Sequence, residues 1–140
     1  MSSEAEARRK ELAATLEGRS DDEIVQGVQA QGIDTVLDQI FAGMKDAFLP
    51  EKAGNQSAVI QYDVNAAGKV HTYQLKVANG KCELAKGAGG PARVTLALGL
   101  ADFLRLVSGK LNGMQAFMTG KLKLTGDMMF AQVMQGWFPQ

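Results

Sequence analysis

The chain has 140 residues and a mass of 15.0 kDa, and its 15 basic and 15 acidic side chains balance to zero. One domain fits that length, and a chain of this size buries about 68–70% of its unfolded surface, enough for a sizeable core. Zero net charge with 46% hydrophobic residues excludes a disordered polyelectrolyte and a whole-domain trap for nucleic acid, and no apolar run approaches the roughly 20 residues that span a bilayer.

In chain order, residues 4–17 are rich in Ala, Glu and Arg and read as a helix that Gly18 closes. Ser20 and Glu23 have the spacing of a capping box and start a short helix carrying Ile24, Val25 and Val28, which Gly32 breaks. A third helix sets Val36, Leu37, Ile40, Phe41, Met44 and Phe48 on one face. Pro50 and Gly54 end this helical section.

The period then changes to two. Ala58, Ile60, Tyr62 and Val64 mark a first strand, residues 65–68 a turn, and Tyr73, Leu75 and Val77 a second strand. Asn79-Gly80 signals a tight hairpin before Cys82 and Leu84. After the glycines at 87–90 and Pro91, a fourth strand carries Val94, Leu96 and Leu98. Together these read as a four-strand antiparallel meander with one wet face. Leu100, Phe103, Leu104 and Val107 return to helical spacing, ending near Gly109, and Met114, Phe117 and Met118 form another short helix before Gly120. Residues 121–125 alternate as a lysine-guarded strand. Asp127 caps a last helix with Met128, Phe130, Val133, Met134 and Trp137. A fifth strand beside the fourth, reached through helix, is expected to run parallel to it.

Two compositional features are local. Residues 1–46 hold ten acids and five bases, a net −5, whereas residues 47–140 hold five acids and ten bases, a net +5. That split fits an acidic helical half matched to a basic sheet half. There are also seven Met and six Phe against two Tyr and one Trp. A lone cysteine permits no internal disulfide, and Met1 to Lys10 is charged without an apolar h-region, so a cytoplasmic protein is expected.

The candidate chemistry is thin. Gly87, Gly89 and Ala92 match a nucleotide fingerprint, yet Pro91 leads into a strand where that fingerprint requires a helix, so a strand connection is the better reading. His71 and Cys82 are too few for a metal site, which needs three or four converging ligands, and no cofactor motif is present. Asp63 falls on the wet strand face, and Asp102 falls in a first helical turn, where an acid complements the dipole. What stands out is the apolar density after residue 100, which suits either an ordinary core or a cavity wall in which Met adapts to ligands of variable shape.

The segments at 101–112 and 116–128 carry Asp102, Leu106, Gly109-Lys110 and Asn112, then Ala116-Phe117, Gly120-Lys121-Leu122 and Gly126-Asp127. This order and spacing closely resembles the sterol carrier protein 2 (SCP-2) domain, with Gly113 where the family has proline and Thr119 where animal members commonly have glutamine. The resemblance covers roughly residues 30–138. It implies an α+β fold: a five-stranded, mostly antiparallel sheet, helices covering one face, and an apolar tunnel between the sheet and the C-terminal helices. Residues 1–30 are then an N-terminal helical extension and 31–140 the lipid-binding domain.

The resemblance further implies non-catalytic binding and transfer of a fatty acid, fatty acyl-CoA, sterol or isoprenoid. The implied wall is Phe103, Val107, Leu111, Phe117, Met118, Leu122, Leu124, Met128, Phe130, Val133 and Met134. Transient contact with a membrane surface and a homodimer are compatible with it, and no nucleic acid is involved. The end at residues 138–140 lacks the peroxisomal signal of eukaryotic members, in keeping with a cytosolic protein. The alternative is an oligomerisation or substrate-delivery module for a lipid-metabolising enzyme, with the Ala-rich first helix (Ala5, Leu12, Leu16) as its contact. An enzyme with Asp63 or Asp102 as a pocket acid is the third class.

Overall fold

The computed structural model describes residues 7, 10–11, 14–87, 89–108, 110–135 and 137. Much of the expected first helix, including Ala5 and Leu12, lies outside these residues, as do Gly109 and the end at 138–140. Helix α1, Asp21–Gln31, opens with the expected capping box: Glu23 N donates to Ser20 Oγ at 3.2 Å and Ser20 N to Glu23 Oε1 at 3.1 Å. Gly32, at φ +100°, ends α1 and starts α2, Ile33–Asp46. The apolar stripe of α2 turns inward, burying Leu37 and Phe41. Pro50 begins the one-turn α3, Pro50–Ala53, where its missing N–H costs nothing.

Five strands follow: β1 Ala58–Ala66, β2 Lys69–Ala78, β3 Lys81–Lys86, β4 Val94–Gly99 and β5 Leu122–Gly126. Their spatial order is β3-β2-β1-β4-β5. Asn79 and Gly80 turn the β2–β3 hairpin at φ +54° and +71°, the pair of positive angles a type I′ turn requires. The expected meander is corrected at β4, which pairs parallel with β1 instead of flanking β3. Residues 87 and 89–93 connect the strands across the outer sheet face, Gly87 N donating to Thr72 O and Arg93 N to Val59 O. Gln74, fully buried on this otherwise wet face, fixes the crossing. Its Nε2 donates to Gly90 O (3.0 Å) and Gln61 Oε1 (2.9 Å), and its Oε1 accepts from Gly89 N (3.3 Å).

Strand β5 does lie beside β4, but antiparallel, which corrects the second topological expectation. Two helices intervene, α4 (Leu100–Val107) and α5 (Gly113–Met118), and together they return Leu122 opposite Leu98, at the end of β4 where the chain left it. A single helical crossover would have delivered the chain to the other end. The sheet is therefore mixed and mostly antiparallel, with β1–β4 its parallel pair. The last helix, α6 (Met128–Gln135), is capped by Asp127, whose Oδ1 accepts from Phe130 N at 2.9 Å.

The inner sheet face carries the cross-strand row Tyr73–Tyr62–Leu96–Leu124. Phe41 of α2 stacks on Tyr73 with centroids 4.3 Å apart and on Phe103 of α4 at 5.0 Å, and meets Tyr62 edge-on at 5.4 Å. Such pairs add to area burial about 0.5–1.5 kcal/mol each. Leu16, Ile24 and Val28 join the same core. The charge split becomes ion pairs across the fold: Arg105 with Asp21, Lys110 with Glu17 and Lys86 with Asp38.

Candidate functional site

The expected wall residues divide by exposure. Phe103, Leu122, Phe130 and Met134 are buried, and Val107, Leu111 and Leu124 are half-buried. Phe117, Met118, Met128 and Val133 are exposed, Met118 to 77%. Met114 and Met129, outside the expected wall, are exposed as well, Met129 to 82%.

Local sequence explains the division. In α5 the small Gly113 and Ala116, three residues apart, are the buried positions, so Met114, Phe117 and Met118 project outward. In α6 the inward face is Phe130, Ala131 and Met134, which leaves Met128, Met129 and Val133 on the outside. Between the two helices β5 inserts Leu122 towards the core and half-buries Leu124. The exposed methionines had a readable signal, the Met128-Met129 doublet, whose two side chains cannot both face one core.

Phe130 lies under the Arg93 guanidinium, 4.2 Å from the ring centroid, while Arg93 Nε is 3.2 Å from Asp127 Oδ2. The backbone N–H of Phe130, then Arg93, hold the Asp127 carboxyl below its usual range. Trp137 packs edge-on against Phe130 at 5.1 Å and Phe48 at 6.3 Å, and Leu49 N donates to its carbonyl at 2.7 Å. Its indole N–H is buried and meets no acceptor among the described residues. It is a polar donor at the end of the apolar region.

The other candidates sit elsewhere. Burial pushes the Cys82 thiol up to about 11, so it stays protonated at neutral pH. Cys82 pairs with Val77, and His71 stands six positions along β2 from Val77, about 20 Å away at strand rise. His71 Nδ1 instead lies 3.2 Å from Asp34 Oδ1 at the start of α2. Asp63 accepts from Gln61 and Thr72 on the outer face, and Asp102 is tied to Arg105 at 3.2 Å. No group of three potential metal ligands converges among the described residues. An open cleft of about 650 Å³, lined by Gln29, Ile33, Asp34, Ala66, Lys69 and His71 among others, lies beside the β1–β2 turn. It is formed by α1, α2 and the two ends of the β1–β2 turn, and no residue of β5 or of α4–α6 lines it. No helix among the described residues is long and apolar enough to cross a membrane.

Residues 37–139, from within α2 to beyond α6, match the model of the SCP-2 sterol transfer family. The chain belongs to that family. SCP-2 domains bind and transfer lipids, and the five-stranded α+β architecture described above is theirs. Sterol carrier protein 2 of Homo sapiens is 40% identical over 68 residues, 49% of this chain but 12% of that protein, so the chain spans a small part of this relative. A fatty acid-binding protein of Yarrowia lipolytica is 36% identical over 109 residues, 72% of this chain and 84% of that protein. The solution structure of palmitated SCP2L2 from Aedes aegypti superposes with a TM-score of 0.57 at 25% identity, covering 66% of this chain and 85% of that one.

The SCP-2 motif residues have visible physical work in this chain. Asn112 caps α5, its Oδ1 accepting from Met114 N (2.8 Å) and Gln115 N (3.3 Å), so the cap persists with glycine in the next position. Gly120, at φ +79°, closes α5 as Lys121 N returns to Ala116 O at 2.9 Å. Gly126 sits at φ +103° where a Cβ would come within 2.5 Å of Arg93 O, so glycine lets the 87–93 crossing pass beside β5.

Proposed function

We propose that the chain is a non-catalytic cytoplasmic carrier that holds a hydrophobic lipid between the inner sheet face and α4–α6, and exchanges it during transient membrane contact. The family match over residues 37–139 carries this reading, because it spans every element around the apolar region. Phe103, Val107, Leu111, Leu122, Leu124, Phe130 and Met134 supply the wall, with Phe117, Met118, Met128 and Val133 at its mouth. Residues 1–30 are an extension seated on the domain through Leu16, Ile24 and Val28. The ligand class is a fatty acid, fatty acyl-CoA, sterol or isoprenoid. Burial of an acyl chain gains about 0.8 kcal/mol per CH₂, so micromolar binding needs few polar contacts. The placement of Asp63 on the opposite face, the pairing of Asp102 with Arg105 and the protonated Cys82 all support carriage without catalysis.

Titration with a fluorescent fatty acid, alongside native mass spectrometry of the purified protein, tests the proposal. It fails if nothing co-purifies and nothing binds below about 100 µM. Met134→Trp adds bulk at a buried wall position and is expected to weaken fatty-acid binding at least about tenfold. An unchanged affinity removes Met134 from the wall.

A further inference from the structure

We propose that the indole N–H of Trp137 donates a hydrogen bond to the oxygen end of the carried lipid. The acceptor it selects is neutral: an ester or thioester carbonyl, or a hydroxyl. The carrier reading supplies the lipid, and the surroundings of Trp137 supply the rest. Trp137 is 1% exposed, yet its Nε1–H meets no acceptor among the described residues. A donor buried in that way costs free energy that a phenylalanine in the same place would not. Tryptophan is ordinarily buried where its N–H finds a partner.

The location ties the donor to the wall. Phe130 stands edge-on to the indole at 5.1 Å, and Phe48, just after α2, at 6.3 Å. Trp137 N donates to Met134 O at 3.0 Å. Phe130 and Met134 are two of the wall residues, so the unpaired donor stands beside the lipid's place. Other partners fit less well. A ring face accepts an N–H only weakly. A buried water makes about three hydrogen bonds, and the main-chain groups of Trp137 are already engaged, its N–H with Met134 O and its carbonyl with Leu49 N. An oxygen carried in on an apolar chain needs only one bond, because burial of the chain supplies the rest.

Charge narrows the class. The indole nitrogen only donates and is uncharged. No cation bonds to it or stacks on it among the described residues; the Arg93 guanidinium lies over Phe130 and is engaged by Asp127. An ionised carboxylate held by one neutral donor would be buried without compensation. A carbonyl or hydroxyl oxygen asks for no counter-charge.

The chain holds one tryptophan, so the indole gives a single N–H signal in a proton–nitrogen correlation spectrum. The test follows that signal as the full chain is titrated with methyl laurate and, separately, with tetradecane, a chain of equal length without oxygen. The ester is expected to move the indole proton downfield, the direction of a newly formed hydrogen bond, and the alkane is not. Trp137→Phe keeps an aromatic ring and removes the donor. Its ratio of ester to alkane affinity is expected to fall about fivefold, the worth of one neutral hydrogen bond. An indole signal that the bound ester leaves in place overturns the proposal, whether or not the variant folds. So does an ester-to-alkane ratio that Trp137→Phe leaves at the wild-type value. In both cases measured uptake of ester or fatty acid keeps the carrier reading. If no lipid is taken up at all, the carrier reading fails and the donor role falls with it.

Discussion

The packing of α2 on β1 and β2 and the packing of α5 and α6 around β5 use the same kinds of side chain to different ends. Around Phe41 the rings of Tyr73, Tyr62 and Phe103 interlock, with centroids 4.3 to 5.4 Å apart, and all four are buried. Around β5 the inward positions are taken partly by Gly113, Ala116 and Ala131, and the large residues beside them face outward. Small residues bring the short helices close to the strand and leave the apolar bulk unspent. The first region holds the fold together, and the second leaves its large apolar side chains uncovered among the described residues.

Four substitutions probe that contrast. Phe41→Ala is expected to cost about 3–5 kcal/mol in denaturant unfolding, the loss typical of a fully packed ring. A cost near 1 kcal/mol would mean the stack around it is looser than the geometry indicates. Gly126→Ala comes next, at about 2–3 kcal/mol, because the new Cβ meets backbone at Arg93 and the positive φ strains alanine. If it unfolds like wild type, β5 is not pinned against the 87–93 crossing. Met118→Ala, in the open region, is expected to stay within about 0.5 kcal/mol in the same assay. A larger cost would give Met118 a structural partner and erase the contrast.

The smallest effect is electrostatic. Tyr73 donates to Asp38 at 2.6 Å, and that bond holds the Asp38 carboxyl below its usual range. The unfolded carboxyl titrates at about 4, so this contribution is complete above that pH and is lost as pH falls through the lower folded value. Asp38→Asn is expected to lose less stability than wild type on acidification from about pH 5 to about pH 2. Parallel acid limbs would show that the bond carries no pH dependence. Asp38 is more than half exposed, so solvent keeps the difference small.

Elements with local causes were legible beforehand. The Ser20–Glu23 box, the Asn79-Gly80 turn and the Asp127 cap all depend on residues within a few positions of one another. The two topological misses concern distance. Alternation at Val94, Leu96 and Leu98 states which face is buried, and is equally compatible with a neighbour at β3 or at β1. In the fold the connection to β4 is held by contacts far apart in sequence, among them the buried amide of Gln74 on Gly89 and Gly90. Both helices before β5 were legible, but not that they return the chain to the end of β4 it had left, which makes the pair antiparallel.

For the candidate site the motif residues identified the family, and their spacing placed α4, α5, β5 and α6 in order. Residue type alone did not divide Phe103 and Phe130 from Phe117, or Met134 from Met118, because a hydrophobic side chain reads the same whether or not it has found a partner. By itself the sequence determined the family, the secondary structure and the charge split between its halves, since each is written in local pattern or composition. The tertiary structure alone decided which apolar side chains are covered and which lysines are left unpaired, because burial and pairing belong to the neighbours a residue meets in space.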